Sequence, residues 1–486
     1  MDHFLKQCEA AIGEENVLTQ VQDQAPFLQD RRGRSQGSAL AVLRPHCTEQ
    51  VAQLVRLCLQ YRVAITPQGG NTGLVLGSIP NCEKNVGSAD SAVPAVVTSH
   101  AVILSLKRLN QIRAIDVHNH SITVEAGCLL QQVQQAALEA DTFFPLSLAS
   151  EGSCTLGGNL STNAGGTAVL RYGNARELCL GLEVVTPQGD IWNGLRGLRK
   201  DNTGYDLKNL MIGAEGTLGI ITAAVLKLFP KVHSQACAWV VLDDVASALQ
   251  LFSLARENYF SSLSAFEIMN ALSVDLVHRH FPQYQRVFKE GAPYFALLEF
   301  SSHEAASQAQ LQCDKLIHSA YELGIIRDAV IASSNGQAQQ FWAIREAISE
   351  AQAKAGGNIK HDIGLPISQI PDFVACAEKA LALEFPNCRL VNFGHMGDGN
   401  LHFNVSAPLG QDATAFFLHQ SRINQIVHDI THSYGGTFSA EHGIGCLKKE
   451  ELRRYKSETE IQMMRSIKRA LDPHNMMNPG KIFTED

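Results

Sequence analysis

Two histidines, His395 and His402, bracket the segment HMGDGNLH, and residues of this type at this spacing can close on one metal ion. Asp398-Gly399 is the dipeptide favoured by a two-residue type I′ turn, in which both central residues need φ > 0. With that turn as the loop, Gly397 faces Asn400, Met396 faces Leu401 and His395 faces His402. Directly opposed residues of an antiparallel pair have Cβ atoms about 4.5–5.5 Å apart, which lets both rings reach an ion at about 2.0–2.1 Å per bond. Two ligands are too few, and Glu441 in the glycine-flanked segment FSAEHGIG is the candidate third. Neighbours on an extended chain point to opposite sides, so Glu441 can face the ion while His442 faces elsewhere. A hairpin whose imidazoles only hydrogen-bond accounts for the segment about as well.

Three glycine-rich loops lie upstream. Thr66 to Leu76 reads TPQGGNTGLVL after a strand-like run, and its Gly69, Gly70 and Gly73 expose backbone N–H groups that a phosphate can approach without a Cβ in the way. A tight turn explains that loop alone equally well. Ser150 to Gly166, SEGSCTLGGNLSTNAGG, adds small and hydrogen-bonding residues around two glycine pairs, and Asp201 to Ile221 adds Gly213, Gly216 and Gly219. Neither GxGxxG nor GxxxxGK[ST] occurs, so a dinucleotide fold of the Rossmann type and a Walker loop are both unsupported.

The elements that must position these groups fall into two halves. From Ser38 to Pro230 the pattern is α+β or α/β: strands at Ala39 to Arg44, Ala64 to Thr66, Ala101 to Leu106, Ile122 to Glu125 and Leu182 to Thr186, with helices at Glu49 to Tyr61 and Leu129 to Glu139. After Pro230, strands at Trp239 to Leu242, Tyr294 to Phe300 and Ala329 to Ser333 alternate with helices at Ala246 to Asn258 and His303 to Gly324. That predicts a small antiparallel sheet covered by helices on one face, a candidate substrate-capping domain. Helical stretches follow at Asp412 to Ser433 and Glu450 to Leu471. The polar, small-residue-rich stretch from Asn81 to His100 reads as a surface loop insertion.

The 486 residues suffice for two or three domains, and 45% hydrophobic with 18% charged content is that of a soluble globular protein. A net charge of -8 gives no basic footprint for nucleic acid, and a small-molecule partner fits better. Twelve cysteines are scattered singly with no CxxC pair, which suits reduced thiols in the cytoplasm. The N-terminal residues show neither a signal-peptide core nor an acid-poor transit pattern, and no run approaches the roughly 18 apolar residues of a transmembrane segment. Peripheral contact at the inner membrane stays open, and a homodimer is compatible with the sequence.

The three loops in this order, with RRGRSQGSALAVLRP from Arg31 and LDPHNMMNPGKIF ending at Phe483, resemble the vanillyl-alcohol oxidase and p-cresol methylhydroxylase superfamily. The first half is similar to its FAD-binding domain and the second to its FAD-linked oxidase C-terminal domain. Within it the chain most resembles the enzymes that oxidise D-2-hydroxyglutarate, with D-lactate dehydrogenases and the glycolate oxidase large subunit as close relatives. The resemblance implies an α+β fold: a two-part FAD-binding domain over residues 1–230, an antiparallel-sheet substrate or cap domain over 231–430, and a helical C-terminal segment over 431–486 that carries Glu441 and His442 back onto the FAD domain. It implies FAD contacts from Pro67, Gly69, Gly70, Asn71, Thr72 and Gly73 in the first loop. The second loop would supply Gly157, Gly158, Asn159, Ser161, Thr162, Asn163 and Gly166, and the third Gly216 and Ile220. No histidine lies between Thr66 and Pro80, so the FAD is expected to be noncovalent.

The family's metal ligands match His395, His402 and Glu441, and zinc or another borderline divalent ion suits two imidazoles and a carboxylate. His442 matches the family's proposed general base. Substrate choice would rest on FWAIREAISEAQAKAGGNIK, where Arg345 and Ser349 share a helix face and Lys360 follows. An Arg fork and a Lys point charge suit the distal carboxylate of a dicarboxylate, which lactate lacks. The family has Thr where Ser349 stands, a departure that keeps the hydroxyl, while Arg345 pairing with Glu346 or Glu350 is the plainer alternative. Asn404, on the same strand face as His402, is a further candidate contact. The expected activity is FAD- and metal-dependent oxidation of a D-2-hydroxy acid, with an electron-transferring flavoprotein or a quinone as electron acceptor. A rival of another class is a noncatalytic FAD-binding subunit of a larger oxidase.

Overall fold

Residues 1–31, 33, 35–81, 83–84, 100–289, 291–304 and 307–483 are described by the computed structural model. Most of the expected insertion between Asn81 and His100 lies outside them.

In the first half, the apolar runs Ala41–Leu43, Ala64–Gln68 and Ala101–Ser105 form three parallel strands, with Val17–Leu18 antiparallel at the edge. Parallel strands need a crossover, and helix Thr48–Tyr61 supplies the one from Ala41–Leu43 to Ala64–Gln68, which flank Ala101–Ser105. A second sheet of five antiparallel strands runs in the order Ile191–Gly194, Cys179–Val185, Ile220–Lys227, Ser121–Glu125 and Ile112–Asp116. Arg113 lies 3.2 Å from Glu125 and 3.1 Å from Glu183, and Thr48 donates to Glu183, which pins the crossover helix to this sheet. The first glycine loop leaves the end of Ala64–Gln68, and the third leads into Ile220–Lys227. Both therefore open at the seam between the two sheets.

The second half is larger than the small one-faced sheet expected for it. Eight antiparallel strands assemble, and alternate residues of Ser234–Leu242 feed two separate cores. Ala236, Ala238, Val240 and Leu242 pack on one face among helices Val245–Tyr259, Gln308–Glu322 and Ile370–Glu384. Cys237, Trp239 and Val241 pack on the other against helices Ala271–His280 and Asn335–Lys354. A strand buried on both faces is apolar at both parities, and ACAWVVL is such a run. The helical stretch expected at Glu450 to Leu471 is two helices, divided where Ser457 caps the second with Glu460 in a reciprocal box.

The hairpin also departs from the two-residue turn. Of its two central residues only Gly399 has positive φ, at 88°, so the type I′ requirement fails at Asp398. Met396–Asp398 instead form a short 3-10 turn, and the last paired residues of strands Arg389–Gly394 and Asn400–Ser406 are Phe393 and His402. His395 thus sits above the ladder rather than opposite His402. On its other edge His402 faces Asp362 of strand Asp362–Gly364, which bridges on to Ser439. The tail segment bearing Glu441 is in this way laid along the sheet.

Two histidines brace this layer. His361 and His428 meet edge to face at 5.4 Å, His361 Nδ1 lies 2.8 Å from Phe403 O and its Nε2 3.0 Å from Asn424. Burial pushes His361 down to about 4 and His428 down to about 2, with Lys448 opposing charge on both and Arg454 on the second, beside Tyr455. Both folded values lie below the unfolded one near 6.5, so the unfolded chain binds the extra protons and stability falls as pH drops below that point. By pH 5 each histidine should cost about 2 kcal/mol. Thermal unfolding between pH 7 and 5 measures this, and an unchanged midpoint would rule it out.

Candidate functional site

The first two glycine loops and the start of strand Ile220–Lys227 enclose a cleft of about 840 Å³. All of the expected cofactor residues line it except Asn163 and Gly166. Asn163 instead accepts from the Arg176 N–H at 3.0 Å, and the Gly166 N–H turns toward the Glu441 carboxylate. The walls suit a bulky phosphorylated group. A Cβ at Gly69 would collide with Thr155 Oγ1 and one at Gly70 with the carbonyl oxygen of Ser153. Gln68 Oε1 and Thr155 Oγ1 are buried in the wall with no hydrogen-bond partner, a state that buried polar atoms rarely keep. Neither was singled out in the sequence, nor was Glu215, whose carboxylate accepts from the N–H groups of Ile444 at 2.7 Å and Gly445 at 2.8 Å. The Cys-Thr and Ala-Glu steps just before Leu156 and Gly216 were the available signals.

At one end of this cleft stands His442, beside the metal-type triad. Donor atoms of His395, His402 and Glu441 lie within 4.8 Å of one another, and His395 Nε2 is 3.8 Å from Glu441 Oε1. A Cβ at Gly165 would stand 3.0 Å from that same Glu441 oxygen, so the second glycine loop closes over the triad. His395 Nδ1 is 2.6 Å from Glu267 Oε1. A carboxylate on the far nitrogen fixes which ring nitrogen is left for a metal, the usual support of a metal-binding histidine. Burial disfavours charge on the His402 imidazole and keeps it well below its ordinary pKa, hence neutral and able to ligate. Burial also pushes Glu441 up, to about 7, against the pull of His395 and with Asp362 and Asp398 adding to it. A divalent cation suits such a carboxyl. The donor set therefore fits a metal.

Glu267, on strand Leu263–Asn270, is fully buried. Its burial opposes ionisation, yet His395 and Arg345 outweigh that and hold it down at about 2. Arg345 Nε donates to Glu267 Oε2 at 2.8 Å, and its guanidinium lies over the Phe393 ring at 4.8 Å. The alternative of a solvated pairing with Glu346 or Glu350 gives way to this buried ion pair. Ser349 lies one turn further along the same helix and is exposed. Lys360 is exposed too, in a second cleft of about 830 Å³ that it shares with His361, Asp362 and Lys448. His442 and Val75 line both clefts. Asn404 is buried, giving Nδ2 to Gln352 at 2.9 Å and taking the His361 N–H on Oδ1 at 3.1 Å.

Residues 231–482 match the family of FAD linked oxidases, C-terminal domain, and residues 39–194 match an FAD binding domain. The chain belongs to the FAD-linked oxidase family. It is similar to the mitochondrial D-2-hydroxyglutarate dehydrogenase of Arabidopsis thaliana, 36% identical over 97% of this chain and 80% of that one. The D-2-hydroxyglutarate dehydrogenase of Xanthomonas citri pv. viticola is 35% identical over 98% and 96% of the two chains. A Schizosaccharomyces pombe protein assigned as a mitochondrial D-lactate dehydrogenase is 34% identical over 93% and 83%. Among solved structures, p-cresol methylhydroxylase with substrate bound superposes with a TM-score of 0.77 at 18% identity, covering 99% and 96%. At that identity the likeness is one of fold.

As an FAD-linked oxidase the chain is an FAD-dependent oxidoreductase, and its first half supplies the FAD-binding domain. Contacts tie the last segment of the FAD-linked oxidase to that domain. Lys468 Nζ donates to Thr217 O at 2.9 Å, Asn478 Nδ2 to Gly77 O at 2.7 Å and Lys481 Nζ to Ile79 O at 2.8 Å. The loop bearing Glu441 and His442 is therefore anchored to the first half by Glu215 and to the eight-stranded sheet by Asp362. Among the described residues no helix is long and apolar enough to cross a membrane.

Proposed function

We propose that this chain oxidises a D-2-hydroxy acid, D-2-hydroxyglutarate first among them, to the 2-oxo acid. The observation that carries the reading is His442, which borders the FAD cleft and neighbours Glu441 of the triad. The glycine loops would hold FAD noncovalently, and the cofactor would supply the acceptor for the hydride from the substrate's Cα. His395, His402 and Glu441 would hold a divalent metal, zinc by donor type, which would supply Lewis-acid polarisation of the hydroxy acid. His442 takes the hydroxyl proton. Glu267 orients His395, and the cap strands shield the triad from bulk water. Lys360 is assigned to the far end of the substrate, whereas Arg345 is engaged by Glu267 and Asn404 by Gln352 and the His361 N–H.

The similarity to a D-lactate dehydrogenase favours a second reading, with D-lactate or glycolate as substrate, and so does the engagement of Arg345 with Glu267. A noncatalytic FAD-binding subunit has no use for a supported donor triad beside a candidate base. For the electron acceptor we favour an electron-transferring flavoprotein or a quinone. All eleven cysteines among the described residues are free, which suits a reducing compartment; the Arabidopsis and cattle relatives are named mitochondrial, and the cytoplasmic setting is our assignment.

Anaerobic mixing of the purified holoprotein with D-2-hydroxyglutarate, D-malate, D-lactate and glycolate should bleach the flavin fastest with the first. Chelation with EDTA should abolish the bleaching, and zinc should restore it. A flavin that none of the four reduces would sink the proposal, and full activity after metal removal would sink the metal's part in it.

A further inference from the structure

We propose that Asp362 is a positioning residue that holds His442 as the base of the reaction; this rests on the reading of His442 given above. Asp362 lies on strand Asp362–Gly364, 3% exposed, across the ladder from His402. Its Oδ2 accepts the backbone N–H of Glu441 at 3.1 Å and of His442 at 2.9 Å, and stands 3.3 Å from His442 Nδ1. Its Oδ1 accepts from Asn400 Nδ2 at 2.9 Å, and Lys448 Nζ lies 4.0 Å from Oδ2. One carboxylate oxygen thus accepts both backbone N–H groups of the tail loop and lies against its imidazole.

The chemical consequence follows from the donor inventory. An ionised carboxylate only accepts, so the proton of a neutral His442 ring sits on Nδ1, and Nε2 carries the lone pair. When the substrate is oxidised, the O–H proton passes to Nε2, the Cα–H bond breaks with its electron pair going to FAD, and the C=O double bond forms. The resulting imidazolium is left with its Nδ1–H against the Asp362 charge. A buried aspartate plays that same orienting and charge-balancing part for the histidine of serine hydrolases, where its amide replacement drops kcat by about 10⁴. The backbone bond to Glu441 adds a second effect. With the N–H groups of two consecutive residues drawn to one oxygen, the Glu441 side chain goes to the triad while His442 borders the clefts.

Asn is the informative replacement, because its carbonyl oxygen can still accept the backbone N–H groups while the charge is gone. The wild type, Asp362→Asn, Asp362→Glu and His442→Ala are compared as holoproteins. FAD content, zinc content by atomic emission, thermal midpoint, and anaerobic flavin reduction in H₂O and D₂O are recorded for each. For Asp362→Asn we expect full FAD and zinc occupancy, KM within about threefold of wild type, kcat down about 10²–10⁴-fold, and a larger solvent isotope effect on flavin reduction. Asp362→Glu should recover part of the rate. Unchanged kcat in Asp362→Asn overturns the inference. So does a loss of zinc in step with activity that added zinc reverses, since Asp362 would then be serving the metal. If the wild type oxidises D-2-hydroxy acids and only His442→Ala is impaired, the functional reading stands and the inference alone fails. If the wild type oxidises none of them, both fall.

Discussion

Glu267→Ala should lower the unfolding free energy by about 3–5 kcal/mol, the range for breaking a buried ion pair from one side. Glu267 is fully buried and meets the His395 ring at 2.6 Å and the Arg345 guanidinium at 2.8 Å. Removing it takes away the carboxylate that is hydrogen-bonded to the Arg345 guanidinium, and that residue is only 7% exposed. Denaturant unfolding monitored at a cap tryptophan such as Trp239 gives the loss directly. Glu267→Gln separates this from the metal: the amide fills the same space and keeps one acceptor for a ring N–H, but holds His395 less firmly. Its expected mark is a metal affinity about 10–100-fold weaker, measured by competition with a chromophoric chelator. An unchanged affinity in Glu267→Gln would show that His395 is oriented by something else.

Glu267 also marks the boundary of what the sequence can say. Its partner His395 is 128 residues away along the chain, and no local pattern joins them. A signal existed nonetheless, since a lone carboxylate inside the apolar strand LSAFEIM must be paired if that strand is buried. The triad itself was legible because each of its members sits in a glycine-rich segment whose purpose is otherwise obscure. The turn was read too simply. Asp398-Gly399 suggested the two-residue loop, whereas the His395 side chain is drawn toward Glu267 and the chain spends three residues in a 3-10 turn to put it there. The outcome for the histidines was much the same, with ring centroids 5.9 Å apart, because imidazoles reach far enough to absorb a shift of two positions in register.

The halves of the fold differed in legibility for a physical reason. In the FAD half, glycine loops punctuate short strands, so element ends coincide with visible breakers, and helices such as Thr48–Tyr61 fell within a residue of their expected limits. In the second half, strands are apolar at both parities and helices lie on both faces, so periodicity alone suggested fewer strands and one covered face. Asp362 escaped notice because HDIG carries no spacing that separates a buried acceptor from a surface aspartate. Only the tail loop, brought in from 79 and 80 residues away, reveals what it holds.

Lys360 and Arg345 were paired in the sequence as joint readers of a distal carboxylate, and the structure divides their expected effects. Arg345 has its charge met by Glu267, so Arg345→Met should depress turnover of D-2-hydroxyglutarate and D-lactate alike and lower stability by about 3 kcal/mol. Lys360 is exposed at the second cleft, which His442 also borders. A substrate whose hydroxyl meets His442 can extend its remaining carbons into that second cleft, where an ammonium favours a carboxylate and does nothing for a methyl group. Lys360→Met should therefore cut kcat/KM for D-2-hydroxyglutarate about 10–100-fold, the worth of one charge-assisted hydrogen bond, and leave D-lactate within about threefold. Steady-state kinetics on both substrates decide it. Equal losses in Lys360→Met would remove Lys360 from the recognition of the acid, and a loss confined to the dicarboxylate in Arg345→Met would show that Arg345 exchanges Glu267 for the substrate during turnover.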